Sequence, residues 1–193
     1  MENQGWYVQK KIYLTRGTDD STVEAAIVKL ATKHVEDFEN QWVELLTQYK
    51  QEDKLWDLMV KLRMTSRYNN YEGYAVECEN QTEGLLVIET TMHGSQMTRG
   101  KRLVYIYYIA SAPLNRKVIQ NPPKLRGIGT NLLLFTRERS LELGYEGRVG
   151  LHSFPDSQNF YDNRGMYDLG PDEDYDELVY FEYAAWRQRL QGA

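Results

Sequence analysis

Apolar and polar positions along this chain change period partway through, and the change separates an opening stretch from the remainder. Trp6 to Leu14 is a strand-like run closed by Gly17. Ser21-Thr22-Val23-Glu24 then has the form of a capping box, Ser at the N-cap and Glu three residues on, which predicts a helix start. Val23, Ile27, Leu30, Phe38, Trp42, Leu45 and Tyr49 recur at helical spacing with Lys and Glu between them. No Gly or Pro interrupts this span, so it reads as one long helix or two helices with a subtle break. A second amphipathic segment places Leu55, Leu58, Met59 and Leu62 on one face.

Strand periodicity follows. Tyr74 to Cys78 and Leu85 to Thr91 predict two strands joined as a hairpin through Asn80 to Gly84. Leu103 to Ile109 is a nearly unbroken apolar run, which predicts a central strand buried on both faces. An irregular Pro-containing loop, Ser111 to Pro123, leads to a helix from about Gly127 to Leu143 that Gly144 ends. A strand from Arg148 to Ser153, a short helix from Pro155 to Asn163 and a last strand from Leu178 to Tyr183 complete the pattern. No repeat, linker or low-complexity tract breaks the chain. Helices first, then an antiparallel meander, then strand-helix-strand-helix-strand: this order predicts one α+β domain over residues 1–193.

Composition narrows the function classes. At 193 residues the chain is long enough to bury one substantial core. No run approaches the roughly 18 apolar residues that span a bilayer. Met1 to Lys11 lacks an apolar signal-peptide core, so the expected location is the cytoplasm. A single cysteine, Cys78, excludes an internal disulfide framework. The net charge of -5 argues against non-specific nucleic-acid binding, and nothing points to a membrane partner. Fifteen tyrosines suggest aromatic packing, a pocket or an oligomer interface.

The chemistry-bearing stretch is Lys124-Leu125-Arg126-Gly127-Ile128-Gly129-Thr130, between the apolar strand and an amphipathic helix. Two glycines one residue apart remove side chains where a ligand must approach the backbone. The helix that begins there offers unpartnered N–H groups and a partial positive charge, which suits a phosphate. Each dipole contact is worth only about 0.3–1 kcal/mol, so several donors must converge. A Gly-Lys-Ser/Thr P-loop and a third glycine at Rossmann spacing are both missing.

The strand Leu103–Ala110, the Lys124-x-x-Gly127-x-Gly129 loop, the helix opening Asn131-Leu132-Leu133-Leu134 and the later Phe160-Tyr161-Asp162-Asn163-Arg164-Gly165-Met166 resemble the ordered motifs of the GNAT acetyltransferases. Ala112-Pro113-Leu114-Asn115-Arg116 is similar to an Ala-Pro-x-Asn-Arg element found in a bacterial subgroup of that family. The resemblance covers roughly Leu85 to Tyr183. It implies the GNAT fold, an α/β/α sandwich whose mixed, mostly antiparallel sheet has splayed parallel central strands, with helices near the N-terminus. It further implies acetyl-CoA as acyl donor, no metal, and direct attack of an unidentified amine on the thioester in a ternary complex. By the same resemblance Leu125, Arg126, Gly127, Ile128, Gly129 and Thr130 hold the pyrophosphate through backbone N–H groups, with Lys124 beside them. Ile109 and Ala110 pair with the pantetheine, one of their N–H groups polarising the thioester carbonyl. Tyr161 is the acid that protonates the departing thiolate. Lys124 replaces the usual Gln or Arg, keeping charge but not the guanidinium fork. The Asn usual early in the second helix is replaced by Phe154, with Ser157 or Asn159 as substitutes. A homodimer fits the family.

An amine of ordinary pKa is mostly protonated at neutral pH, so a base or water relay is expected. Glu77, Glu79 and Glu89 lie on or beside the strands that face the site in this fold, and Glu89 is the best candidate. His34 falls on an apolar helix face and reads as a core residue, whereas His152 could approach the cleft. His34, His93 and His152 lack metal-ligand spacing. Cys78 lacks an activating cation. The acidic run Pro171 to Glu177 reads as a solvated loop, or as an attractor of a cationic acceptor. Two other classes stay open: a non-catalytic acyl-CoA-binding module, and a toxin-type enzyme acting on aminoacyl-tRNA. The second needs a basic face, for which Lys10, Lys11, Arg16, Arg99, Lys101 and Arg102 are the candidates.

Overall fold

A computed structural model describes residues 8–186, so the expected start of the first strand at Trp6 and most of the Met1 to Lys11 stretch lie outside the described residues. The chain divides into two compact units, one of residues 1–87 and 108–132, the other of residues 88–107 and 133–193.

In the first unit the strands run, edge to edge, Leu125–Arg126 (β6), Val8–Arg16 (β1), Thr22–Lys29 (β2), Tyr71–Cys78 (β3), Gln81–Glu89 (β4) and Val104–Ser111 (β5). Strand β1 (Val8–Arg16) pairs antiparallel with β2 (Thr22–Lys29), Ile12 opposite Ala25 and Leu14 opposite Val23. The capping box expected at Ser21 is therefore a hairpin turn: the Ser21 hydroxyl and N–H both bond Asp19 Oδ1, at 2.7 and 3.0 Å. Strand pairing on both sides overrides the helical spacing of Val23 and Ile27, because β2 also pairs with β3 (Tyr71–Cys78). Glu79 and Asn80, with φ of +50° and +63°, turn the chain into β4 (Gln81–Glu89). Gly17 closes the first hairpin where no other residue fits, since a Cβ there would lie 1.7 Å from the Pro123 carbonyl oxygen.

The true first helix, α1 (Thr32–Asp37), continues through a π-turn at Phe38–Trp42 into α2 (Val43–Gln48). The subtle break expected here is the wider turn itself, in which the Val43 N–H reaches the Phe38 carbonyl. After α3 (Leu58–Arg67), Phe38, Trp42, Leu46 and Leu58 pack with Val28, Ala75, Leu85 and Val87 on one sheet face. Ile128, at the start of α4 (Ile128–Glu142), lies against Gly84 on the other, so this unit has a helix-sheet-helix section.

The second unit orders its strands β5, β7 (Val149–Ser153), β9 (Leu178–Tyr183) and β8 (Tyr167–Asp172). Strand β5 (Val104–Ser111) pairs in parallel with β7 (Val149–Ser153), which pairs antiparallel with β9 (Leu178–Tyr183). The outer strand β8 (Tyr167–Asp172) was not expected, because it is largely exposed and carries Gly170 and Pro171. The expectation that the run Leu103 to Ile109 is buried on both faces holds for Leu103 to Ile106: Tyr107 is 41% exposed and Tyr108 and Ile109 are half-buried, before Ala110 is buried again. Among the described residues no helix is long and apolar enough to cross a membrane.

Candidate functional site

The glycine loop is set by short pairings. Strand β6 (Leu125–Arg126) lies against β1, with Thr15 opposite Arg126 and Arg16 opposite Leu125. Gly127 then turns with φ +98° and accepts the Asn131 N–H at 3.0 Å, which makes it the cap of α4. The N–H groups of Gly127, Ile128, Gly129 and Thr130 accordingly have no acceptor within the helix. Arg126 and Gly127 are exposed and Gly129 and Thr130 half-buried. Leu125 differs from expectation, since its N–H is already given to Asn115 Oδ1 at 2.8 Å. Lys124 differs as well: its ammonium pairs with Glu83, a carboxylate only 2% exposed that also accepts from Asn115 Nδ2 at 2.7 Å. Sequence reasoning missed Glu83, whose one signal is a carboxylate inside an otherwise apolar strand. Next to Asn115, Arg116 makes a two-pronged pair with Asp53 and bonds the Ser111 carbonyl. The Ala112 to Arg116 element thus positions the loop.

In the second unit the parallel ladder holds Val104 with Val149 and Tyr105 with Gly150, and ends there. Strand β7 goes on beside β9 as far as Ser153 opposite Val179, so beyond Gly150 it is paired on its β9 side. Ile109 and Ala110 lie on β5 past the end of that ladder.

Tyr161 sits on α5 (Gln158–Asp162), 6% exposed, its ring 5.6 Å from Phe181 and 5.2 Å from Phe160. Burial pushes its phenol up, so it carries its proton throughout the neutral range. Asn159, on the same short helix, is exposed, and its carbonyl accepts from Asn163 Nδ2 at 2.7 Å.

Glu89 is fully buried, and its geometry is that of a loop cap. One oxygen takes the Thr91 N–H at 2.7 Å and the Met92 N–H at 2.8 Å, and the other lies 2.8 Å from His93 Nδ1. A carboxylate so enclosed cannot reach an acceptor without dismantling the loop, and this corrects its expected availability as a base. Glu182, also fully buried, does the same for the next turn, accepting from the Ser95 hydroxyl and from the Gln96 N–H at 2.8 Å.

The face that this loop borders carries a hydrogen-bonded line that the sequence showed only in part. Tyr105 Oη lies 2.7 Å from His152 Nδ1, and His152 Nε2 lies 3.0 Å from Asp172 Oδ2. His93 stacks on the Tyr105 ring at 4.0 Å, and Tyr175 stacks on His152 at 3.8 Å. Burial holds the His152 imidazole below its ordinary pKa, against the opposing pull of Asp172. Burial likewise pushes the Tyr105 phenol up. Asp172 and Tyr175 belong to the acidic run, part of which is therefore a built wall. The available sequence signal was His152 itself, one strand away from a tyrosine-rich strand.

The other singled-out residues lie elsewhere. His34 is fully buried and bonds Glu77 at 3.0 Å, which occupies Glu77 as well. Glu79 pairs with Arg16, and Lys11 with Glu24 at 3.3 Å, so two of the candidate basic residues have acidic partners. Cys78 is buried, and burial pushes its thiol up. Among the described residues no cluster of His, Cys, Asp and Glu could hold a metal ion.

No protein-family model matches the sequence, and no curated protein matches it. Solved structures do resemble it. RimJ of Mycobacterium smegmatis in complex with CoA-disulfide has a TM-score of 0.56 at 14% identity, over 95% of this chain and 90% of that one. The PaiA N-acetyltransferase of Thermoplasma acidophilum in complex with coenzyme A has a TM-score of 0.55 at 12% identity, over 82% and 97%. A protein of Desulfovibrio desulfuricans described as a GNAT-family acetyltransferase has a TM-score of 0.53 at 11% identity, over 82% and 98%. At such identities the likeness establishes a common fold.

Proposed function

We propose, from the GNAT fold that this chain has, that it is an acetyl-CoA-dependent N-acetyltransferase acting on an amine of a small molecule or protein. The observation that carries this reading is the start of α4, where Gly127 turns with φ +98° and caps the helix, leaving the N–H groups of Gly127 to Thr130 without an acceptor in it. The N–H groups of Gly127 to Thr130 supply the anion-binding end, with the α4 dipole behind them.

In this reading the chain's own groups act as follows. The Gly127 to Thr130 amides bind the pyrophosphate. The β5 edge at Ile109 and Ala110 pairs with the pantetheine amides, and an N–H there stabilises the oxyanion formed when the amine attacks, which is worth roughly 2.7–4 kcal/mol for such donors. By the family resemblance Tyr161 gives its proton to the thiolate as the carbon–sulfur bond breaks, although burial raises its phenol and so makes it a weaker acid than an exposed tyrosine. Glu83, Asn115 and Lys124 keep the loop in register without touching the donor.

Release of thiol from acetyl-CoA, followed with and without a panel of primary amines, tests the reading. Amine-dependent thiol release with a matching acetylated product supports it, and Tyr161→Phe should then lower kcat about 10–100-fold with little change in KM for acetyl-CoA. Thiol release indifferent to every amine, from correctly folded protein, would count against the transferase.

A further inference from the structure

We propose that Arg116 is a positioning residue for acyl transfer: its guanidinium fixes the end of β5, and with it the backbone at Ile109 and Ala110 that polarises the thioester carbonyl. This rests on the transferase reading given above. A guanidinium carries five N–H donors in one rigid plane, and here each has an acceptor. Nε and one Nη2 hydrogen both go to the Ser111 carbonyl, at 3.0 and 2.8 Å. The second Nη2 hydrogen goes to Asp53 Oδ2. Nη1 donates to Asp53 Oδ1 at 2.9 Å and to Gln51 Oε1 at 3.1 Å. The pair is enclosed, the side chains of Arg116 and Asp53 being 17% and 8% exposed.

These bonds meet at the place where the reading needs precision. Ser111 is the last residue of β5, directly after Ala110. The segment that carries Asp53 also reaches the strand on the near side of Ile109. The Trp56 N–H bonds the Asp53 carbonyl at 3.1 Å, and the Trp56 ring lies 4.2 Å from that of Tyr108. Residues 51–56 therefore grip β5 at Tyr108 and, through Arg116, at Ser111, with Ile109 and Ala110 between the two grips. Beyond them the Ala112 N–H bonds the Glu83 carbonyl at 2.9 Å. An N–H aimed at a forming oxyanion works only when held within roughly 0.5 Å of its productive place, which is what such a supporting shell supplies.

The residue before Arg116 attends to the other end of the donor. Asn115 Oδ1 takes the Leu125 N–H at 2.8 Å and its Nδ2 bonds Glu83, while the Leu114 carbonyl takes the Lys124 N–H at 2.8 Å. Adjacent residues thus divide the work: Asn115 holds the start of the glycine loop, and Arg116 holds the strand end. Lysine at position 116 would keep the charge, but a single ammonium cannot bond Ser111, both Asp53 oxygens and Gln51 together.

Infrared spectroscopy of bound acetyl-CoA labelled with carbon-13 in its carbonyl, beside calorimetry of CoA, tests this without any acceptor. On wild-type protein the carbonyl stretch should move to lower frequency on binding, the mark of a hydrogen bond to its oxygen. In Arg116→Lys that shift should be lost while Kd for CoA changes by less than about threefold, because Asn115 still holds the glycine loop. Asn115→Ala should do the reverse, weakening CoA about tenfold or more while the acetyl-CoA that does bind keeps the shift. Where Arg116→Lys fails to fold, Asp53→Asn, which keeps the guanidinium but removes the charge that orients it, is read in the same way. A shift retained in full by the folded variant, or lost only in step with CoA affinity, overturns the positioning role. Wild-type protein that binds CoA but leaves the carbonyl stretch unmoved overturns it too, with CoA binding left standing. Failure of wild-type protein to bind CoA removes the transferase reading as well.

Discussion

Lys124 and Glu83 are partners of unequal exposure, 36% against 2% for their side chains, and removing either one has a different consequence. Lys124→Met leaves a buried carboxylate with Asn115 as its remaining side-chain donor, which should cost about 3–5 kcal/mol. Glu83→Gln leaves a lysine that can turn to solvent, and should cost only about 1–2 kcal/mol. Urea denaturation of the two variants measures the difference, and equal costs would show that the pair is not effectively buried. Position 124 illustrates how far residue identity alone can be read. A cation before the glycines suggests an anion contact, yet the carboxylate that claims it is 41 residues away in the chain. Glu89 is the mirror case: a strand-end carboxylate reads as an available base, and only the fold of residues 91–93 shows that its oxygens are occupied.

At the scale of elements, α1 has an unusual cap. Its N-cap, Ala31, has no side chain to offer, and the Ala31 N–H instead donates to His34 Nδ1 at 2.9 Å, while Nε2 bonds Glu77. Burial lowers the His34 pKa more than Glu77 raises it. The unfolded chain therefore takes up protons first on acidification, near the ordinary value of about 6.5, and stability present above that pH is lost as pH falls through and below it. His152 adds a contribution of the same sign. Gln at position 34 can accept the same N–H through its side-chain oxygen but does not titrate. Hence His34→Gln should flatten the loss of stability between pH 7.5 and about 5.5 as read by urea midpoints. A slope identical to that of wild type would contradict this account of the cap. Legibility differed sharply between elements. Helix α4, β7, α5 and β9 lay where caps, glycines and apolar runs put them. Thr22 to Lys29 did not, because Val23, Ile27 and Leu30 satisfy a helical spacing by coincidence while Thr22, Val23, Ile27 and Val28 are β-branched and pair with strands on both sides. Exposed β8 had no alternation to find.

For the molecule as a whole, the order of the later elements and the glycine loop carried the fold, and the structural likenesses agree with it at 11–14% identity. What stayed out of reach was the hydrogen-bonded line of Tyr105, His152 and Asp172 with Tyr175, because these residues come from separate strands and a turn that only the sheet brings together. The central claim is that the amides from Gly127 to Thr130 bind the pyrophosphate of CoA. Gly129→Glu tests it better than a change at Gly127, whose φ of +98° strains any other residue. A carboxylate in the first turn of α4 favours the helix by about 0.3–1 kcal/mol, yet competes directly with a phosphate. Isothermal calorimetry of CoA against wild-type protein and this variant is the decisive measurement. Binding with Kd on the order of 1 μM, about -8 kcal/mol, by the wild type and its loss in an equally stable variant is the result predicted. Absence of binding by folded wild-type protein, or equal binding by the variant, would contradict the account.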